Sequence, residues 1–316
     1  MKKQFVENLQ ESDVVNDYFV ATRKDLRDTQ AGGKFLGMVF KDRTGELGGV
    51  MWNNAVSVSG LFDVGDIVNV RGTVNTYQGR LQLRVDQVLP LKDDEYDVED
   101  LVFTPENTTD VASAFAQIME SIEAPELKAL MASCLRDEDL MEKFNGGAAG
   151  KKWHHAFRGG LVQHCYEMAR IAETMCDLFP RLDRDLLLTG IFFHDIGKIE
   201  ELSQGMHIDY TTPGKLVGHL QQGCFIANRK MDGIADFPEK LRMQIHHMIL
   251  SHHSELEMGS PVVPKTLEAI VLAHIDNLDA QANAFENVIT ANQTKGQEWS
   301  EYLNLIDRQI WNKDFS

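Results

Sequence analysis

The chain has 316 residues, 43% of them hydrophobic, and this length predicts about two domains with substantial cores. It contains no run of about 18 apolar residues, no apolar N-terminal signal segment and no paired cysteine spacing, so we expect a cytoplasmic protein that makes no membrane contact. The net charge of −17 comes from the second part of the chain. Residues 1–92 hold 12 Lys/Arg and 11 Asp/Glu, whereas residues 93–316 hold 19 Lys/Arg and 37 Asp/Glu. The charge therefore argues against nucleic acid binding only by residues 93–316.

Residues 13–92 show the pattern of a β domain. Five short β-rich runs are separated by Gly-containing turns, at residues 18–22, 34–40, 49–52, 67–74 and 81–85. In the last run Leu81, Leu83 and Val85 alternate with polar residues, which indicates one buried face and one wet face. A short helix is expected near residues 54–62, before the fourth strand. Five strands with a helix in this place match an oligonucleotide-binding (OB) barrel.

Aromatic and basic side chains of this module are candidates for contacts with bases and phosphates. Tyr77 and Arg80 lie at a hairpin tip, where exposure is expected, and we predict that both contact a nucleic acid strand. We expect Phe40 and Trp52 to be core residues of the barrel. The other candidates are Phe35 for stacking, and Lys34, Lys41, Arg43, Arg71 and Arg84 for the strand's backbone.

The rest of the chain is predicted to be helical. The acidic segment 93–104 is interpreted as a linker, and two helices are expected over residues 109–144, with a break near Ala124-Pro125. The segment with Trp299 and Trp311 is interpreted as a last helix that packs on the helical domain or joins subunits into a homo-oligomer. We therefore predict a multidomain protein, with an all-β OB barrel in residues 1–92, a linker in 93–104 and an all-α domain in 105–316.

An adjacent imidazole and carboxylate, His194-Asp195, lie in an otherwise apolar run. Burying this pair is costly unless it is paired or binds a metal ion. Helical phase places four further candidates on or beside the core-facing stripes of separate helices, namely His164, His219, His252 and Asp276, and His253 is a candidate as the neighbour of His252. One such histidine alone would more often be a hydrogen-bonded core residue, but several together favour a metal site between helices.

The order of these residues resembles the metal-dependent HD phosphohydrolase superfamily. A second pattern narrows the resemblance: the run His154-His155-Ala156-Phe157-Arg158-Gly159-Gly160-Leu161 precedes His164 and His194-Asp195, and all of them follow an OB module. In this pattern the chain resembles the YhaM family of 3′-5′ exoribonucleases over roughly its whole length.

The resemblance implies a role for each candidate ligand. His164, His194, Asp195 and Asp276 would hold one metal ion. His219, His252 and His253 would hold a second, with Asp195 bridging the two. A histidine-rich set suits Mn, Fe, Co, Ni or Zn better than Mg, and we expect two divalent ions, with Mn as the first choice.

Two such ions would lower the pKa of a bridging water and hold phosphate oxygens for in-line attack. Lys198 is predicted to neutralise charge on the phosphoryl group; the alternative is a solvated lysine at a helix end. His154, His155 and Arg158 are candidate contacts to substrate phosphate or base, or else ordinary polar residues of a loop.

The expected function is removal of nucleoside 5′-monophosphates from the 3′ end of single-stranded RNA, with short single-stranded DNA as a further substrate. One alternative is an HD phosphohydrolase of small nucleotides; a cyclic-dinucleotide version is disfavoured, since no Gly-Tyr-Pro run follows His252-His253. The other alternative is a nucleic-acid-binding protein with a regulatory HD domain, which the complete ligand set disfavours.

Overall fold

The structure is a computed structural model. It describes the chain except residues 1, 30–31, 93, 103, 106, 152–154, 206–207, 295–297, 304–305 and 313–316, with residues 291–294 described by their backbone alone. The chain divides into two compact units, Met1–Thr104 with Gly205–His207, and Pro105–Gln204 with Ile208–Ser316. A search of the described residues finds no helix with the length and apolar character that a bilayer crossing needs.

The first unit is a closed five-stranded barrel with the strand order β1-β2-β3-β5-β4. Its strands are β1 (Val14–Asp28), β2 (Lys34–Asp42), β3 (Gly45–Met51), β4 (Ile67–Tyr77) and β5 (Arg80–Pro90). Neighbouring strands are antiparallel except β3 and β5, which run parallel. The short helix α1 (Ala55–Ser59) precedes β4, as the sequence predicts. This arrangement is the predicted OB barrel.

Alternation of side chains explains how the barrel closes on an apolar core. Leu36, Met38 and Phe40 of β2 point inward and are buried, while the residues between them face outward. The turn between β4 and β5 is tight, because Gln78 and Gly79 both have positive φ. That conformation matches the twist of a two-residue hairpin and is readily adopted by glycine.

Trp52 corrects one prediction, because 56% of its surface is exposed and it is not a core residue. Leu47, Gly49 and Met51 of β3 are buried, so the next position along the chain faces outward. Phe40 is fully buried, as predicted, and Tyr77 is exposed at the hairpin.

The second unit is helical. Its helices are α2 (Thr108–Glu120), α3 (Pro125–Leu135), α4 (Glu138–Gly146), α5 (Gly160–Leu178), α6 (Arg184–Phe193), α7 (Lys198–Glu201), α8 (Thr212–Val217), α9 (His219–Asp232), α10 (Glu239–Ser251) and α11 (Leu267–Thr294). The expected break at Ala124-Pro125 is present. A second break follows α3, where the side chain of Asp137 caps the next helix by accepting from the backbone N–H of Leu140.

The core of this unit surrounds α5 and α6. Every residue of α6 from Leu186 to Phe193 is buried, so the helix is enclosed on all sides. Phe192 of this helix stacks with Phe115 and Phe144, and the three ring centroids are 5.0–6.3 Å apart. The chain therefore delivers His194-Asp195 into the interior at the end of a buried helix.

The C-terminal segment differs from the predicted helix. In the part that the structure describes, Trp299 pairs with Trp311 and Leu303 with Arg308 through isolated antiparallel bridges. The segment therefore doubles back on itself. The subunit contact that the sequence suggests for it stays a prediction.

Candidate metal centre

The candidate ligands lie within five helices or directly after their last residues. His164 lies in the first half of α5, and His194-Asp195 follow the last residue of α6. His219 is the first residue of α9, and His252-His253 follow α10. Asp276 lies within α11. Most ligands thus stand at helix termini, where the chain can turn and face a common point between helices.

The first cluster consists of His164, His194 and Asp276. The Nε2 atoms of the two histidines are 3.3 Å apart, and Oδ1 of Asp276 lies 3.2 Å from Nε2 of His164. Such spacing is typical of atoms that share one ion through bonds of about 2.1 Å. Both imidazoles are fully buried.

The second cluster consists of His219, His252 and His253. Asp195 lies between the two clusters. Its Oδ2 atom is 3.3 Å from Nε2 of His194, on the side of the first cluster. Its Oδ1 atom is 3.6 Å from Nε2 of His219 and 3.5 Å from Nε2 of His252. One carboxylate therefore faces both clusters, with one oxygen for each.

Buried polar atoms at this place fit bound cations. Among the described residues, Oδ1 of Asp195, Nε2 of His219 and Nδ1 of His253 are buried without a hydrogen-bond partner. Leaving such atoms unsatisfied costs about 1–3 kcal/mol each, and more when the group is charged. Nitrogen and carboxylate oxygen atoms are ligands of divalent transition metals. The residues present therefore fit the metal ions that the sequence predicts.

In His194 and His252, the ring nitrogen that faces away from the clusters, Nδ1, has a backbone carbonyl as its hydrogen-bond acceptor. Nδ1 of His194 donates to the carbonyl of Ile191 at 2.8 Å, and Nδ1 of His252 donates to the carbonyl of Ile249 at 2.9 Å. A carbonyl accepts only, so each Nδ1 carries the proton and each Nε2 keeps a lone pair for a ligand bond.

Two carboxylates orient the remaining imidazoles. Oδ2 of Asp279 accepts from Nδ1 of His164 at 2.6 Å, and Oε1 of Glu201 accepts from Nδ1 of His219 at 3.0 Å. Each contact fixes both the tautomer and the orientation of its ring, as carboxylates beside metal-binding histidines do. Sequence reasoning missed Asp279 and Glu201. Asp279 follows Asp276 by one helical turn, which is the signal that could have found it.

Electrostatics at the centre favour charged carboxylates. Burial opposes the charge on His164, but hydrogen bonds with Asp276 and Asp279 outweigh burial and raise the pKa of its imidazole to about 9. Despite burial, partners that include His164 hold the pKa of the Asp276 and Asp279 carboxyls well below the usual range. Burial, together with His252 and His219, lowers the pKa of His253 to about 4. His253 is therefore neutral at pH 7, the form that binds metal.

Lys198, the predicted phosphate contact, begins α7 and is 13% exposed in its side chain. Its Nζ atom lies 2.5 Å from Oδ2 of Asp195. Burial works against its charge, but Asp195 more than compensates and raises the pKa of the ammonium. Lys198 is therefore a permanent cation at the edge of the first cluster.

The predicted substrate contacts occupy different places. His155 is buried, with Nε2 3.0 Å from Oδ2 of Asp279 and 3.5 Å from Oε2 of Glu167. It therefore supports the carboxylate behind His164, and substrate contact would need exposure that this residue does not have. Arg158 is exposed, and His154 lies outside the described residues. In the barrel, Tyr77 and Arg80 are both exposed at the hairpin between β4 and β5.

Comparisons with known proteins agree with this architecture. A family model described as HD domain matches residues 161–281, and one described as OB-fold nucleic acid binding domain matches residues 20–91. The 3′-5′ exoribonuclease YhaM of Listeria monocytogenes is 31% identical over 303 residues, which are 95% of each chain.

Two solved structures are also similar to part of the chain. A crystallised domain of replication protein A from Methanococcus maripaludis is 22% identical and covers 28% of this chain and 94% of its own, with a TM-score of 0.25. The second OB-fold domain of replication protein A from the same organism is 26% identical and covers 29% and 97%, with a TM-score of 0.23. The identity and coverage shared with the Listeria enzyme decide the assignment: the chain belongs to the YhaM family of 3′-5′ exoribonucleases.

Proposed function

We propose that this protein is a metal-dependent 3′-5′ exoribonuclease that releases nucleoside 5′-monophosphates from single-stranded RNA, with short single-stranded DNA as a further substrate. One observation carries the proposal: two clusters of candidate ligands face the two oxygens of Asp195. Two divalent cations that share one carboxylate are suited to displacement at a phosphorus atom. The membership of the YhaM family and the match of residues 20–91 to an OB-fold nucleic acid binding domain support RNA as the substrate.

The ions that we propose are two divalent transition metals, with Mn before Fe, Co, Ni and Zn. Five of the seven ligands are imidazoles, namely His164, His194, His219, His252 and His253. Mg prefers oxygen ligands and is disfavoured by this set. When bound, the ions supply an activated water nucleophile and neutralise charge on the scissile phosphate.

Residues of the chain would hold the ions and the substrate, and would neutralise the negative charge of its phosphate. Asp195 would help to hold both ions, and the ammonium of Lys198 offers a hydrogen bond and a positive charge to a phosphoryl oxygen. Arg158, exposed beside the Gly-Gly start of α5, is our candidate for a contact with the phosphate of the next nucleotide. His155, buried behind His164, is assigned a positioning role through Asp279.

We also propose the organisation in which the enzyme works. Residues 1–92 would bind the RNA strand, residues 93–104 would link the two domains, and residues 105–316 would hydrolyse the phosphodiester bond. The four cysteines, Cys134, Cys165, Cys176 and Cys224, are all free. Free thiols support the cytoplasmic location that the sequence predicts.

The test is a degradation time course with a 5′-labelled single-stranded RNA and Mn, Mg or a chelator, resolved on a sequencing gel. We expect a metal-dependent ladder that shortens from the 3′ end and a mononucleotide product. Asp195→Ala should abolish hydrolysis while RNA binding remains, because it removes the carboxylate that faces both clusters. Asp177→Ala, which removes an exposed carboxylate of α5, is the matched control and should cleave like the wild type.

Two results would contradict the proposal. Retained metal-dependent cleavage by Asp195→Ala would remove the two-ion centre from the mechanism. RNA that stays intact under every metal would refute the exoribonuclease activity, and a panel of free nucleotides would then be the substrate test.

A further inference from the structure

The barrel displays an aromatic pair on its outer surface, far along the chain from the metal ligands. Phe35 of β2 and Trp52, the residue after β3, stack with ring centroids 4.9 Å apart and an interplanar angle of 30°. We propose that this pair, the Phe35–Trp52 platform, is the stacking site for an unpaired base of a single-stranded nucleic acid. The inference rests on the proposed function and names where the barrel holds that substrate.

The strand register explains why the platform faces away from the core. Leu36 pairs with Met51 across β2 and β3, and both side chains are buried. Their neighbours Phe35 and Trp52 therefore project from the opposite face. The half-buried Phe35 ring supports the indole, and 56% of Trp52 remains exposed. A supported and exposed indole is pre-organised to stack on a base.

Two glycines leave the backbone beside the platform uncovered by side chains. Gly37 and Gly48 occupy outward positions of β2 and β3, and Gly37 pairs with Val50. A Cβ atom at Gly48 would meet nothing within 4 Å, and one at Gly37 would make only an ordinary contact. Packing therefore does not require glycine at either place, although glycine in a strand weakens it. Close approach of a ligand to the backbone is a recognised reason for such glycines.

Positive charge flanks the same face. Arg84 of β5 is exposed and pairs with Val50 of β3. Val50 faces outward from β3, as does Trp52 two residues further on. Arg84 would therefore hold a phosphate of the strand whose base lies on Trp52.

The charge of the barrel is compatible with a nucleic acid as the occupant. Residues 1–92 are near neutral, whereas residues 93–316 are strongly acidic, so the barrel is the part of the chain that repels a polyanion least. Aromatic stacking with adjacent cations is how proteins bind single strands without reading their sequence. We therefore expect the platform to accept any of the four bases.

The experiment measures binding by fluorescence anisotropy of a labelled 12-nucleotide oligo(U) RNA to full-length protein in the Asp195→Ala background, where the strand stays intact. Trp52→Ala should weaken binding about 5- to 150-fold, the effect of losing one base stack. Trp52→Phe should recover most of the affinity, because it keeps an aromatic ring. Phe35→Leu should cause a smaller loss, since it removes only the support under the indole.

Trp299→Ala is the matched control. Trp299 is similarly exposed, at 53%, but lies in the helical unit. It should bind the RNA like the parent protein. Repeating the titration with single abasic residues stepped along the oligonucleotide should show one position at which base loss weakens the parent but not Trp52→Ala.

The outcomes separate the platform from the proposed function. If the wild type cleaves RNA and Trp52→Ala binds as tightly as the parent, the platform is refuted while the exoribonuclease proposal stands. If Trp299→Ala weakens binding as much as Trp52→Ala, the effect is not specific to the platform and the inference also fails. If the wild type neither cleaves nor binds single strands, both proposals fall.

Discussion

At the scale of single residues, the two clusters of the metal centre have the same construction. Each contains a histidine whose outer ring nitrogen donates to a buried carboxylate, His164 to Asp279 and His219 to Glu201. Asp279 is itself held by His155. Each carboxylate holds the outer nitrogen protonated and aims the inner nitrogen at its cluster, so each is expected to raise the metal affinity of its own cluster.

We predict that these two carboxylates act on different ions. Asp279→Asn should weaken the ion held by His164, His194 and Asp276 about 10- to 100-fold, while Glu201→Gln should weaken the ion at His219, His252 and His253 by a similar factor. Equilibrium dialysis with Mn and elemental analysis measures both the stoichiometry and the affinities. Asp139→Asn, at an exposed residue paired with Lys143, is the control. Two ions bound with unchanged affinity in both variants would contradict the prediction.

The residue scale also shows what the sequence predicts and what it does not. His164, His252 and Asp276 share helical phase with core residues, and the structure brings them together with the other candidate ligands. Asp279, Glu201 and the burial of His155 depend on contacts between distant segments, for which the sequence carries no periodic signal. The prediction for Trp52 is wrong because Val50 and Trp52 are as apolar as Gly49 and Met51, so the sequence does not tell which alternate set of β3 faces the core.

At the scale of elements, the turn after α6 determines the geometry of the centre. It carries His194-Asp195 and Lys198, and α9 packs directly on it. A Cβ atom at Gly197 would lie 1.9 Å from the carbonyl oxygen of His219 and 2.6 Å from the backbone nitrogen of Gly223. Only glycine therefore allows α9 to approach closely enough for His219 to face Asp195.

We predict that Gly197→Ala displaces α9 and damages the second cluster. The clash is with backbone atoms, so the helix must move, at a cost of about 1–3 kcal/mol in unfolding free energy. Thermal unfolding measures this loss, and metal analysis should show the ion at His219 weakened more than the ion at His164. Gly205→Ala is the control, because a Cβ atom there would meet nothing within 4 Å. Unchanged stability in Gly197→Ala would show that the close approach is not required.

Elements differ in how well the sequence predicts them. The sequence predicts each of the five strands, but β1 extends over 15 residues, and the β-rich run 18–22 covers only part of it. The break at Asp137 was missed, since the apolar pattern of α3 continues into α4 and only the capping side chain marks the stop. The Trp299–Trp311 segment has aromatic residues at helical spacing yet forms bridges, so spacing alone did not determine its structure.

At the scale of the whole molecule, the two units have separate apolar cores. One core surrounds α5 and α6, and the other fills the barrel. The acidic charge lies mostly in residues 93–316, which also hold the metal centre. Bound cations would therefore reduce repulsion between this part and an RNA strand, and they would stabilise only the unit that binds them.

We predict that metal removal destabilises the helical unit and leaves the barrel unchanged. An ion present at 100 times its Kd stabilises the folded form by about 2.7 kcal/mol. For a unit of roughly 200 residues this corresponds to a rise in Tm of about 5–10 °C. Calorimetry with Mn and with a chelator should therefore show one transition that shifts and one that does not. Asp195→Ala should remove the shift, because it deletes the carboxylate shared by both clusters. A Tm of the helical unit that is the same with Mn and with chelator would refute the fit of metal ions to this centre, whichever substrate the enzyme cleaves.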